Sequence, residues 1–71
     1  MATRAYIIEL KFGITQWQAW FEGEDSPSGE ARWKEAVKGL NDVGDSCTDS
    51  QEFFKKAVAH FRDYGFPRIP K

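Results

Sequence analysis

The chain has 71 residues, of which 30% are charged and 41% are hydrophobic, and its formal net charge is −1. A chain of this length buries only about 60% of the surface that its unfolded form exposes, which leaves little room for an enclosed catalytic pocket. One cysteine excludes an internal disulfide, and no paired Cys/His clusters are present to hold zinc. We therefore expect residues 1–71 to form a single domain that is stabilised by apolar packing, for which three Trp, six Phe and two Tyr are available.

The features that bear on cellular location favour the cytoplasm. A lone cysteine fits a reducing compartment better than secretion. The N-terminal residues lack the apolar core of a signal sequence, and no apolar run approaches the ~20 residues that a membrane-spanning helix needs. The sequence thus predicts a cytoplasmic protein with no membrane partner.

The first third of the chain predicts a β-hairpin. Residues 4–12 and 15–22 are rich in β-branched and aromatic side chains and contain neither Gly nor Pro, which is typical of strands. Gly13 is the first residue of a two-residue loop between them, a position that favours a type II′ turn.

The register set by this turn separates the two sides of the hairpin. One side is almost wholly apolar and pairs Phe12 with Thr15, Leu10 with Trp17, Ile8 with Ala19, and Tyr6 with Phe21. The other side is polar except where Ile7 faces Trp20. A slip of one residue would mix the two sets, so the turn chemistry and the side-chain pattern predict the same register.

The middle of the chain predicts a first helix. Ser26 is placed to cap it and Pro27 to occupy its first position. The helix is expected to run to about residue 40 and to pair Glu30 with Lys34 on its exposed side. Its apolar stripe consists of Trp33, Ala36, Val37 and Leu40.

A polar connection over residues 41–47 precedes a second predicted helix, which spans residues 49–64. Thr48 begins a capping-box pattern, and Gly65 is placed to end the helix. The apolar stripe of this helix consists of Phe53, Phe54, Ala57, Val58, Phe61 and Tyr64. Two prolines then favour an extended tail.

These elements predict a small α+β domain, in which a β-hairpin is followed by two helices in the order ββαα. A two-stranded sheet is marginal by itself and leaves both of its edges open. Either the tail near Ile69 adds a short C-terminal third strand, or another molecule covers an edge.

The chain offers little reactive chemistry. Residues 41–52 have the length of a calcium loop, but Val43 and Ser46 stand where such a loop needs an oxygen ligand and a glycine. Cys47 and His60 are separated by roughly 18 Å if the intervening segment is helical. We predict no catalytic residue, no metal and no cofactor, and therefore expect that the protein is not an enzyme.

Nucleic-acid binding is one alternative function. Residues 53–71 carry five Lys/Arg and one Asp, a net charge of +4, whereas residues 1–52 have a net charge of −5. The side chains that could contact phosphates are Lys55, Lys56, Arg62, Arg68 and Lys71. The whole chain is nevertheless slightly acidic, and the exposed face of an amphipathic helix ordinarily carries Lys and Arg.

Protein binding is the function that the sequence favours. Trp20 is an anchor of the kind enriched in interfaces, and residues 22–52 have a net charge of −6 that suits a basic groove on a partner. The predicted docking residues are Ile7, Trp20, Glu22, Glu24 and Asp25.

We thus predict a non-enzymatic module that inhibits or assists a larger protein complex, for example a phage-type inhibitor of host defence or of nucleic-acid machinery. A homodimer joined through the Trp20 face or an open strand edge is a further alternative. The competing interpretation of Trp20 is that residues 66–69 fold back and cover it, or that its pairing with Ile7 only stabilises the sheet.

Overall fold

The computed structural model describes residues 2–70, and these form the predicted α+β domain with one additional helix. Strands β1 (Thr3–Phe12) and β2 (Thr15–Glu24) are followed by the helices α1 (Pro27–Lys38), α2 (Leu40–Asp45) and α3 (Ser50–Asp63). No helix within residues 2–70 is both long and apolar enough to cross a membrane.

The hairpin has the predicted register. Ile7 lies opposite Trp20 and Tyr6 opposite Phe21 in an antiparallel pair. Gly13 has a φ of 61° and Ile14, the second residue of the turn, does not have a positive φ, as a type II′ turn requires. Both strands are longer than predicted, because the ladder continues from the turn as far as residues 3 and 24.

The first helix begins where the sequence places it but ends earlier. The Ser26 hydroxyl accepts a hydrogen bond from the Gly29 N–H at 3.0 Å, and Pro27 follows in the first turn. The expected pair of Glu30 with Lys34 is wrong, because Glu30 pairs with Arg4 of β1 at 3.2 Å.

The predicted polar connection over residues 41–47 is also wrong in part, because α2 occupies most of it. Gly39 has helical backbone angles, so the chain passes from α1 to α2 with little interruption. Leu40 and Val43 pack against the core, and this tertiary contact stabilises a helix that is too short to form by itself.

The third helix begins one residue later than the predicted capping box. Asp49, not Thr48, is the N-cap, and its carboxylate accepts from the Glu52 N–H at 2.8 Å. The Glu52 carboxylate accepts in turn from the Thr48 N–H at 3.2 Å. Gly65, with a φ of 93°, follows the end of the helix as predicted.

The core lies between the hairpin and the helices and is mainly aromatic. Trp33 of α1 stacks on Phe61 of α3 with ring centroids 4.7 Å apart. Val37 was expected in this stripe but is 36% exposed, so α1 contributes a narrower apolar face than predicted. Among the described residues, the buried hydrophobic side chains are Tyr6, Leu10, Ala19, Phe21, Ala36, Phe53, Ala57, Phe61 and Phe66.

The C-terminal tail runs along the free edge of β2. The Glu22 N–H donates to the Pro67 carbonyl at 2.9 Å, and the Ile69 N–H donates to the Trp20 carbonyl at 2.8 Å. Arg68 thereby forms a single antiparallel bridge with Phe21. The tail thus supplies one bridge rather than a full third strand.

Candidate binding surface

The hairpin has an inner face, which packs on the helices, and an outer face on the opposite side. Side chains alternate between the two faces along each strand. Between residues 5 and 22, the outer-face residues are all exposed except Trp20, which is half-buried; they are Ala5, Ile7, Glu9, Lys11, Gln16, Gln18, Trp20 and Glu22. This polar surface is the setting of the predicted docking residues.

An apolar row crosses the outer face, formed by Ile7, Trp20 and Ile69. Ile7 and Trp20 are cross-strand partners, and Ile69 bonds to the Trp20 carbonyl from the tail. Because Arg68 pairs with Phe21 in an antiparallel bridge, Ile69 lies opposite Trp20, as Ile7 does on the other side. Ile7 is 49% exposed, whereas Trp20 and Ile69 are half-buried.

Polar groups border the apolar row on both sides. Towards the turn, the Gln16 amide donates a hydrogen bond to the Glu9 carboxylate, and Lys11 lies 4.0 Å from the same carboxylate. Towards the strand ends, Glu22 is exposed on the outer face. A small apolar centre with a charged rim is the usual composition of a protein-binding patch.

The structure brings together only some of the predicted docking residues. Ile7, Trp20 and Glu22 share the outer face. The Glu24 carboxylate instead pairs with Arg32 of α1 at 3.6 Å. Asp25 is exposed beyond the end of β2, where its N–H donates to the Ala2 carbonyl at 3.1 Å. Glu24 therefore links the end of β2 to α1. Asp25 lies outside the sheet and is not part of its outer face.

The tail lies beside Trp20, within the plane of the sheet. Its hydrogen bonds reach the backbone of Trp20 and Glu22, and Phe66 is buried beneath β2. Within the described residues, the tail thus flanks Trp20 through Ile69. The effect is to lengthen the apolar row.

The two edges of the sheet differ. Trp20 and Glu22 direct their backbone groups towards the tail, so their cross-strand partners Ile7 and Ala5 direct theirs away from β2. Within residues 2–70, no backbone hydrogen bond reaches those outward groups of Ile7 and Ala5. The edge of β1 is therefore open.

A cleft of about 330 Å³ lies beside the open edge, between the end of β1 and α2. Leu10, Phe12 and Phe53 contribute apolar surface to it, and Asp45 contributes a carboxylate. Asp45 is exposed and has no ion-pair partner among the described residues. Glu9 and Lys11 also line the cleft, so it combines apolar surface with two carboxylates and one ammonium group.

The basic residues that were considered for nucleic acid are interrupted by acidic ones. Lys55 and Lys56 border a surface cleft with Asp49 and Glu52, and Lys56 pairs with Glu52 at 3.7 Å. Arg62 is exposed near the other end of α3. The Arg68 guanidinium lies over the Phe54 ring at 4.9 Å, and Lys71 is outside the described residues.

The two residues with nucleophilic or acid–base chemistry are engaged in packing. The Cys47 thiol donates to the Val43 carbonyl at 3.1 Å. A ring nitrogen of His60 is 2.7 Å from the Ala36 carbonyl, which joins α3 to α1. Residues 2–70 contain no group of three His, Cys, Asp or Glu side chains that is placed to hold a metal ion.

Sequence reasoning found the pairing of Ile7 with Trp20 and offered the tail near Ile69 as a further strand, but it missed the cleft at the open edge. The prolines around Arg68 did indicate an extended tail, which is the local signal that it could join a sheet edge. Comparison with known proteins adds no assignment: no family model, curated protein or solved structure matches this chain.

Proposed function

We propose that this protein is a non-enzymatic binding module that docks onto a larger protein through its apolar row. The observation that carries the proposal is the 49% exposure of Ile7 at the centre of a polar sheet face, beside Trp20. Rigid strands hold both side chains, so little conformational entropy is lost when a partner covers them. Trp is also the residue most enriched among interface hot spots.

The charge around the apolar row favours a partner with basic groups. Glu9 and Glu22 lie on the outer face, and residues 22–52 have a net charge of −6. Complementary charge increases the association rate and selects among partners more than it adds affinity. A module of this kind acts as an inhibitor or an accessory subunit, because it changes its partner by occupying a surface.

The engagement of Cys47 and His60 by backbone carbonyls supports binding rather than catalysis. We also propose a cytoplasmic location, because an unpaired cysteine fits a reducing compartment.

The test begins with a tagged pull-down from nuclease-treated lysate of the source organism, followed by identification of the captured protein. Its affinity is then measured by calorimetry for the wild type, for Ile7→Ser and for Gln18→Ser. Ile7→Ser removes the exposed anchor, and we expect it to weaken binding by at least about tenfold, or ~1.4 kcal/mol. Gln18→Ser changes the same face outside the apolar row and serves as the matched control.

Equal affinity of Ile7→Ser and the wild type would overturn the proposed surface. Capture that disappears on nuclease treatment would favour nucleic-acid binding through Lys55, Lys56, Arg62 and Arg68 instead. Circular dichroism of each variant confirms that lost affinity is not lost folding.

A further inference from the structure

The open edge of β1 is regular along its whole length. The strand has ten residues, pairs with β2 without a bulge and contains no Gly or Pro. Natural proteins usually protect such an edge with prolines, bulges, charged side chains or a covering segment, because exposed N–H and C=O groups can pair with another strand. The tail covers part of the β2 edge, whereas Lys11 near the turn is the only Lys on β1.

The outward backbone groups define how another strand can be added. Outward groups belong to alternate residues, so the set that contains Ala5 and Ile7 also contains residues 3, 9 and 11. Ile7 is the midpoint of this set. Two antiparallel copies centred there place Ile7 opposite the second copy's Ile7, and Ala5 opposite the second copy's Glu9, so that every outward group has a partner.

We propose that two copies of this chain associate through β1 in this register, as a two-fold symmetric dimer with one continuous sheet. The inference goes beyond the proposed function, because it concerns the backbone edge of β1, although both proposals involve the Ile7 side chain. Small domains with thin cores commonly gain stability by self-association.

The outer face supports this occupant. In the dimer, the two apolar rows meet end to end at the paired Ile7 side chains, whose Cβ atoms would lie about 4.5–5.5 Å apart. The 49% exposure of Ile7 in the single chain is thereby reduced by contact with an identical side chain. Self-pairing thus joins apolar surface to apolar surface.

The inner face supports the same register through charge. Pairing centred on Ile7 places Arg4 opposite the second copy's Leu10, which lines the cleft that contains Asp45. The Arg4 side chain is 43% exposed, pairs with Glu30 at 3.2 Å and has its guanidinium 4.3 Å from the centroid of the Tyr6 ring. Two-fold symmetry therefore places each Arg4 beside the other copy's cleft, where Asp45 has no ion-pair partner among the described residues.

Sedimentation equilibrium over a wide range of protein concentration tests the proposal. The single chain has a mass of 8.2 kDa, and we expect the wild type to reach twice that mass as its concentration rises. Ala5→Pro removes one outward N–H from the open edge and leaves the β1–β2 hydrogen bonds in place, so we expect the dimer dissociation constant to rise at least about tenfold. Gln18→Pro is the matched control, since it removes an outward N–H from the β2 edge and should leave the dimer unchanged.

A charge exchange gives an independent measurement. Arg4→Glu should weaken the dimer, and the double variant Arg4→Glu/Asp45→Arg should restore it. A wild type that stays at 8.2 kDa at every concentration, or a folded Ala5→Pro variant that still dimerises, would overturn the proposal.

If Ala5→Pro does not fold, the charge exchange decides. Restored dimerisation of the double variant supports the β1 interface, and no restoration overturns it. Binding of the larger partner is measured separately, so either idea can fail alone.

Discussion

The two faces of the hairpin are built from alternate residues of the same strands, yet they differ sharply in burial. On the inner face, Leu10 and Phe21 are at most 1% exposed and pack against aromatic side chains of the helices. On the outer face, Ile7 is 49% exposed in polar surroundings. The difference shows that a two-residue period can bury one set of side chains in the core and leave the other set exposed.

The largest expected effect is the difference in stability between a variant of the core behind the inner face and a variant of the outer face. Phe61→Ala leaves a cavity where Phe61 contacts Phe21 and Trp33, and we expect a loss of about 3–5 kcal/mol in the free energy of unfolding. Ile7→Ala on the outer face should change it by no more than about 1 kcal/mol. Urea unfolding of both variants checks this, and equal losses would contradict the difference between the two faces.

A smaller effect tests the contact by which the tail is anchored beneath β2. A Cβ at Gly23 would collide with the rings of Phe66 and Tyr6, so Gly23→Ala should destabilise the fold by about 1–3 kcal/mol. Gly44→Ala is the matched control, because its Cβ would meet Phe53 at an ordinary 3.6 Å inside a helix. The midpoint temperature of unfolding should therefore fall for Gly23→Ala and should not fall for Gly44→Ala; equal decreases would contradict the role of the Gly23–Phe66 contact.

The smallest expected effect concerns the start of α3, the helix that backs the inner face. Asp49→Ala removes the carboxylate that caps the Glu52 N–H and should cost about 1 kcal/mol. Thr48→Ala should cost less, because Thr48 contributes its backbone N–H rather than its side chain. Chemical denaturation of both variants checks the order, and a larger loss at Thr48 would restore the capping box that the sequence pattern suggests.

The sequence by itself determined the features that depend on neighbours along the chain. Gly13 and the alternation of side chains set the register of the hairpin, and that register placed Ile7 beside Trp20. Ser26 and Gly65 marked helix ends correctly because capping depends on a few local hydrogen bonds and one backbone angle. The α+β order and the inner face of the sheet followed from these local signals.

Only the tertiary structure decided the features that depend on distant contacts. The short helix α2 forms because Leu40 and Val43 reach the core, and no local signal predicts that contact. The tail joins the β2 edge because Phe66 is buried over Gly23, which brings Ile69 beside Trp20. The same placement leaves the β1 edge open, since which edge a tail covers depends on where its apolar side chain finds space in the core.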